Sequence, residues 1–148
     1  MNDVALRILR NNTYATLSTV SEDGSPWATP VHFAYDDTQV YWFSDAGTVH
    51  SQNIMRDNRV FVTIFDSRQM VAEPEDRGAL YLQSEARKLD GDELLHAREV
   101  FADRFEDEDN RRIDDTISVF AASFGQLNAA HTKGQLLYYT TRSQEVTA

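Results

Sequence analysis

The side chains able to do chemistry in this chain are few in kind. Cysteine is absent, which excludes thiolate nucleophiles, disulfide frameworks, zinc ribbons and iron–sulfur clusters together. Histidine occurs 4 times, at His32, His50, His96 and His131. His96 and His131 have no partners at metal-ligand spacing, and His96 with Glu99 is a pair that any helix face produces by accident, so no metal site is expected. Serines and aspartates are plentiful, but no Gly-x-Ser-x-Gly elbow occurs, so serine-hydrolase chemistry has little support. The acidic pairs Asp36-Asp37 and Asp114-Asp115 read as turns and caps, and the run Glu106-Asp107-Glu108-Asp109 lacks the glycine and spacing of a calcium loop. Trp27, Tyr41, Trp42 and Phe43 can wall a planar ring, although aromatic strand residues more often fill a core.

Charge narrows the partners. Lysine and arginine total 14 against 24 aspartates and glutamates, a net charge of −10 at pH 7. Such a chain repels a phosphate backbone, and its basic pairs, Arg87-Lys88 and Arg111-Arg112, lie among acids, so no nucleic-acid partner is expected. No apolar run approaches the roughly 20 residues that span a bilayer, and Met1 to Arg10 lacks the apolar centre of a signal peptide. The expectation is a cytoplasmic protein with no membrane partner, its residues 1–148 forming one domain.

The elements that must position these residues follow from pattern. Val4, Leu6, Ile8 and Leu9, between Asn2-Asp3 and Asn11-Asn12, make a short opening helix that should lie as a lid on a sheet. Tyr14 to Val20 and Pro26 to Tyr35 flank the turn Glu22-Asp23-Gly24 as a hairpin. Pro26 and Pro30 donate no ladder hydrogen bonds, so the second strand should be irregular or at an edge from Trp27 to Val31, leaving backbone groups free. Gln39 to Ser44 alternates little, as a strand buried on both faces does. Thr48 offers an N-cap hydroxyl to a helix from Val49 to Arg56, which Asp57-Asn58 stops. Arg59 to Phe65 is the strongest strand, with Val60, Val62 and Ile64 on one face and Phe61, Thr63 and Phe65 on the other.

Asp66 to Arg77 reads as a surface loop able to cover a site, and Ala79 to Leu89 as a long strand. After Asp90-Gly91-Asp92, a helix carries Leu94, Leu95, Val100, Phe101 and Phe105 as its apolar stripe, and Ile113, Ile117, Phe120 and Phe124 suggest a second helix. Gly125 to Gly134 is turn-like, and Leu136 to Thr141 closes the sheet before a polar tail. About six strands, a short inserted helix and late helices make a mostly β protein with α elements, a small antiparallel barrel with short capping helices.

The ordered run Ala15-Thr16-Leu17-Ser18-Thr19-Val20, Asp23-Gly24-Ser25-Pro26, Pro30-Val31-His32-Phe33, Tyr41-Trp42-Phe43-Ser44, Asn53-Ile54 and Arg59-Val60 resembles the pyridoxamine 5'-phosphate oxidase-like family. The likeness covers most of Tyr14 to Leu89, and Leu136 to Val146 resembles the family's last strand. It implies a homodimer of six-stranded split β-barrels with two cofactor sites at the subunit interface, holding FMN and, in some branches, F420 or haem. The implied activity is that of an FMN-dependent oxidoreductase acting on a small-molecule substrate. The alternative is a flavin-, F420- or haem-binding dimer, or one without a cofactor, with a sensing, storage or stress role.

By position, the resemblance assigns Thr29, Pro30 and Val31 to the strand along the isoalloxazine, and Phe43 and Ser44 to the next strand's cofactor contacts. The family's phosphate grip, a small hydroxyl residue followed by basic residues, falls on Thr48, Val49 and His50, with Ser51 beside them. Here the pattern departs, because Val49 carries no charge and a histidine of ordinary pKa is mostly neutral at pH 7. Helix-start amides and the hydroxyls of Ser44, Thr48 and Ser51 can compensate, with Arg56 or Arg59 reaching in. His50 reads either as this phosphate ligand or as an ordinary polar residue on an exposed helix, and His32 as facing a core or a dimer interface. Ala79 stands where the oxidases proper have a polar contact, and no substrate-binding arginine aligns within Gly125 to Ala148. Vitamin B6 oxidation is therefore not the first expectation. Asp66 to Arg77 and Gly125 to Gly134 are the candidate substrate-facing loops.

Overall fold

The computed structural model describes residues 3–65, 78–106, 116–127 and 136–141. Its elements in chain order are α1 (Asp3–Asn11), β1 (Tyr14–Val20), β2 (Pro26–Tyr35), β3 (Gln39–Asp45), α2 (Val49–Arg56), β4 (Arg59–Phe65), β5 (Ala79–Lys88), α3 (Gly91–Phe105), β6 (Ile117–Ser123), β7 (Gln126–Leu127) and β8 (Leu136–Thr140). Strands β1 to β6 close a six-stranded antiparallel barrel in the order β4-β1-β2-β3-β6-β5, completed by the β4–β5 pairing. Beyond it, β8 runs parallel to the first half of β5, and β7 pairs antiparallel with β8.

The sequence explains most of these elements locally. The β1–β2 hairpin turns where Gly24 takes a φ of 84°, a conformation that suits glycine, and Asp23 Oδ1 accepts from the Ser25 amide and hydroxyl at 3.0 and 2.6 Å. The β2–β3 turn is built on Asp36, whose Oδ1 accepts from the amides of Thr38 and Gln39 at 2.8 and 3.0 Å. Val60, Val62 and Ile64 of β4 point inward and are buried. They join Leu17, Phe33, Trp42, Leu80, Leu82 and Phe120 in the barrel core, which Ala5, Ile8 and Leu9 of α1 close as a lid. Gly78 lets that lid sit close, since a Cβ there would meet Ile8 Cδ1 at 2.9 Å and the Ile8 side chain would have to shift.

A second apolar cluster lies outside the barrel, where Ala97 and Phe101 of α3 cover Ala34, Tyr41, Val119 and Ala121. It corrects two expectations. Where the chain is described, the helix suggested by Ile113, Ile117, Phe120 and Phe124 is strand β6, Ile117–Ser123, followed by Phe124; Ile113 lies outside the described residues. Phe120 and Ala122 face the barrel core and Val119 and Ala121 face α3, so the strand is buried on both sides and shows no period-2 signal. Leu95, placed on the buried stripe of α3, is 51% exposed, and Ala97, Arg98, Phe101 and Ala102 take that face. Nor is β2 irregular at its prolines: every residue from Pro26 to His32 has a partner on β1. Pro26 and Pro30 are tolerated because the other edge is open. The loop Asp66 to Arg77 lies outside the described residues, as do residues 107–110 of the acidic connection and 128–134 of the second candidate loop. No described helix is long and apolar enough to cross a membrane.

Candidate functional site: the split between β2 and β3

The barrel opens where β2 changes partner. From Pro26 to His32 it pairs with β1, and only Phe33, Ala34 and Tyr35 pair with β3. Meanwhile β3 continues through Phe43, Ser44 and Asp45 on the opposite edge with β6, where Ser44 faces Ser118. Among the described residues, the outer edge of β2 from Pro26 to His32 has no ladder partner, and its peptide groups must find other acceptors and donors. Alternation places Trp27 and Thr29 on the same side as the buried Val31 and Phe33. The barrel no longer covers them there, and Trp27 is 43% exposed.

Helix α2 closes one side of this opening. Asn53, buried, donates from Nδ2 to Thr19 Oγ1 at 3.0 Å, and Arg56 Nη2 donates to Asn53 Oδ1 and Val20 O at 2.9 and 3.2 Å. Those bonds fasten the helix to β1 and leave its first turn at the end of β3. Thr48 is the N-cap as expected: its Oγ1 accepts from the Ser51 amide at 3.4 Å and lies 2.8 Å from both Asp45 O and Ser51 Oγ. His50 Nε2 stands 2.7 Å from Ser44 Oγ and 3.4 Å from Thr48 Oγ1. Ser44, Thr48, His50 and Ser51 are thus one hydrogen-bonded cluster, with Ser44 and Ser51 buried.

The other expected site residues sit around it unequally. Thr29 is half-buried and Pro30 exposed on β2, while the Val31 side chain belongs to the barrel core. Phe43 turns away from the split: its ring stacks on Phe101 of α3 at 4.1 Å, with the Arg98 guanidinium 5.6 Å from its centroid. Val49 is 45% exposed. Arg56 and Arg59, expected to reach in, do not. The first holds Val20 and Asn53, and the second forms an ion pair with Asp57 at 2.6 Å. His32 is exposed rather than in the core, stacked on Phe105 at 4.1 Å and beside Tyr14 at 5.1 Å. His96, set aside as a metal ligand, lies 3.0 Å from Asp36 Oδ2.

The cluster carries no formal positive charge. Burial holds the His50 imidazole below its ordinary pKa, with no charged neighbour contributing, so it is neutral at pH 7. Beyond the Phe33–Trp42 pair, the unpaired edge of β2 lies across the split from the end of β3, where Ser44 meets hydroxyl, imidazole and helix-start amide donors. The family-wide sequence profile described as Pyridoxamine 5'-phosphate oxidase matches residues 1–131. The chain belongs to the pyridoxamine 5'-phosphate oxidase family.

Solved structures of the same fold agree. A haem-binding protein from Mycobacterium smegmatis is 21% identical with a TM-score of 0.68, over 82% of this chain and 51% of its own. This chain therefore spans about half the length of that relative. HutZ, the haem storage protein of Vibrio cholerae, is 15% identical with a TM-score of 0.67 over 84% of this chain and 90% of its own. A Listeria innocua protein provisionally described as a pyridoxamine 5'-phosphate oxidase is 18% identical with a TM-score of 0.62, over 81% of this chain and 90% of its own. No curated protein sequence matches.

For a pyridoxamine 5'-phosphate oxidase family member, the donor set at α2 fits an oxyanion in kind. Two opening amides lack intrahelical acceptors, the Thr48 hydroxyl and His50 imidazole adjoin them, and the helix end favours negative charge. Two features escaped sequence reasoning. The open edge of β2 was signalled by Pro26 and Pro30, but the register that leaves it open needed the fold. The Ser44–His50 contact joins a strand end to a helix across a loop, and no periodicity reports it.

Proposed function

We propose that this protein is an FMN-dependent oxidoreductase of the pyridoxamine 5'-phosphate oxidase family, acting in the cytoplasm on a small molecule as a homodimer with its sites at the subunit interface. The observation that carries this reading is the open edge of β2, Pro26 to His32, running toward the Ser44–Thr48–His50–Ser51 cluster. The peptide groups that this edge leaves unpaired, Pro30 contributing a carbonyl only, would meet the polar edge of a flat heterocycle, and the cluster would hold its phosphate. The bound flavin would supply the electron transfer, and the chain's part is placement. Half-buried aromatics on the outer face of β4, β5 and β8, with Phe61 beside Tyr81 at 6.1 Å and Tyr138 at 6.3 Å, support a second copy as partner.

One observation favours a second reading, a non-catalytic protein that carries flavin, F420 or haem, or no cofactor. Among the described residues no arginine or lysine joins the cluster, so a phosphate dianion finds no fixed charge there. The visible spectrum of freshly purified protein, repeated after adding FMN, F420 or haem, with released ligand identified by mass, separates the readings. One FMN per chain, with affinity reduced at least tenfold by His50→Ala, is expected. Haem retained in place of FMN establishes the second reading.

A further inference from the structure

The four polar side chains gathered where β3 meets α2, Ser44, Thr48, His50 and Ser51, raise a question of charge. A phosphate monoester is close to a dianion at neutral pH, because its second pKa is about 6. Every donor that faces it is neutral. From β3 comes Ser44, buried and 2.7 Å from His50 Nε2. From the cap and the first turn come Thr48 and Ser51, already bonded to each other. The nearest acid along the chain, Asp45, is turned to the Gly47 amide at 2.8 Å, and Ser118 of β6, opposite Ser44, does not titrate. Among the described residues, the bases that follow closest along the chain, Arg56 and Arg59, are spent on β1 and on Asp57. His50 is the one group of the cluster that can acquire a charge near neutral pH.

Resting on the flavin reading above, we propose that His50 is a proton-linked anchor: the site takes up one proton on the imidazole as it takes up a phosphate, and so supplies its positive charge only when the ligand is present. In the free protein, burial keeps the ring uncharged and Ser44 holds it in place. A phosphate beside the helix start supplies the opposite charge that reverses this preference. The sign follows by linkage. The bound state holds the proton more tightly than the free state, so affinity rises as pH falls between the two His50 pKa values. There it changes by up to about tenfold per pH unit, and it is flat above and below.

The test is titration of the apoprotein with FMN, and with riboflavin as the phosphate-free control, between pH 6.5 and 8.5. Flavin fluorescence gives the affinity, and calorimetry in two buffers of different ionisation heat counts the protons. The expected result is net proton uptake with FMN, at most one per site, with affinity falling as pH rises across the range, and neither effect for riboflavin. His50→Gln keeps a hydrogen bond to Ser44 but cannot titrate, and should abolish both. His50→Lys brings a fixed charge and should bind FMN without the pH slope, which keeps the test informative if the glutamine variant folds poorly. FMN binding without proton uptake, or uptake that survives in His50→Gln, overturns the anchor and leaves the flavin reading standing. No FMN binding at any pH overturns the flavin reading itself.

Discussion

Single residues in this barrel are set by what their hydrogen bonds do to charge, and Asp36 shows it best. Burial opposes its ionisation, but bonds from the Tyr41 hydroxyl, the Thr38 amide, His96 and the Thr38 hydroxyl outweigh that and hold its carboxyl down at about 2. The same contact, with Tyr41 Oη 2.5 Å from Asp36 Oδ2, pushes the Tyr41 phenol well up, after burial as the larger cause. A depressed carboxyl stabilises the fold above its unfolded pKa, near 3.8, and that contribution is lost as pH falls toward 2. Asp36→Asn should therefore lower stability at pH 7 by on the order of 1 kcal/mol, discounted for partial exposure, and flatten the decline between pH 4 and pH 2. Urea denaturation at pH 7, 4 and 2.5 checks this, and parallel wild-type and variant curves through that window would refute it. Sequence alone made Asp36 a turn residue, which it is. That it also ties α3 to the β2–β3 turn through His96 was hidden, because the two lie 60 positions apart.

Elements were legible where their period was their own, and obscure where burial erased it. Thr48 and Asp57 bound α2 as their side chains suggest, and β4 alternates as its valines require. Strand β6 misled because a strand buried on both faces and a buried helix present the same unbroken apolar run, and Ile113, Ile117, Phe120 and Phe124 happen to recur at helical spacing. Helix α3 holds its place through a contact that no period reveals. Arg104 reaches back to the end of α1, donating to Leu9 O at 2.9 Å and to Asn12 O, with its guanidinium 4.9 Å from the Phe33 ring and 4.8 Å from Tyr35. It satisfies carbonyls that every helix leaves free at its C-terminus. Arg104→Met preserves the stem and removes those bonds, and should cost about 2 kcal/mol. Hydrogen exchange should then speed up in α1 before it does in β4 or β5. Uniform acceleration, or none, would mean that the lid is held by Ile8 and Leu9 alone.

For the whole molecule, the open edge of β2 and the aromatic outer face of β4 and β5 are consequences of one geometry. A barrel that closes fully hides its edges, whereas this one leaves the outer edge of β2 from Pro26 to His32 without a ladder partner among the described residues. Phe61 of β4, Tyr81 of β5 and Tyr138 of β8 are half-buried outside the core, which Val60, Val62 and Ile64 of β4 and Leu80 and Leu82 of β5 fill from the inner face. Tyr14 and Phe65 on the same side are 63% and 57% exposed. This arrangement was not readable from alternation, because a half-exposed strand in a monomer has the same pattern as one covered by a partner. The dimeric reading makes a demand that separates it from a monomeric one. Phe61→Glu places a charge on the outer face and leaves the core and the His50 cluster untouched. It should sediment as a single 16.9 kDa chain where the wild type sediments as two, and should retain cooperative unfolding. If the partner completes the cofactor site, the variant loses FMN together with its dimer, and dilution of the wild type releases FMN in step with dissociation. A monomeric variant that keeps full FMN affinity would show instead that the open edge of β2 and the start of α2 make the whole site within one chain.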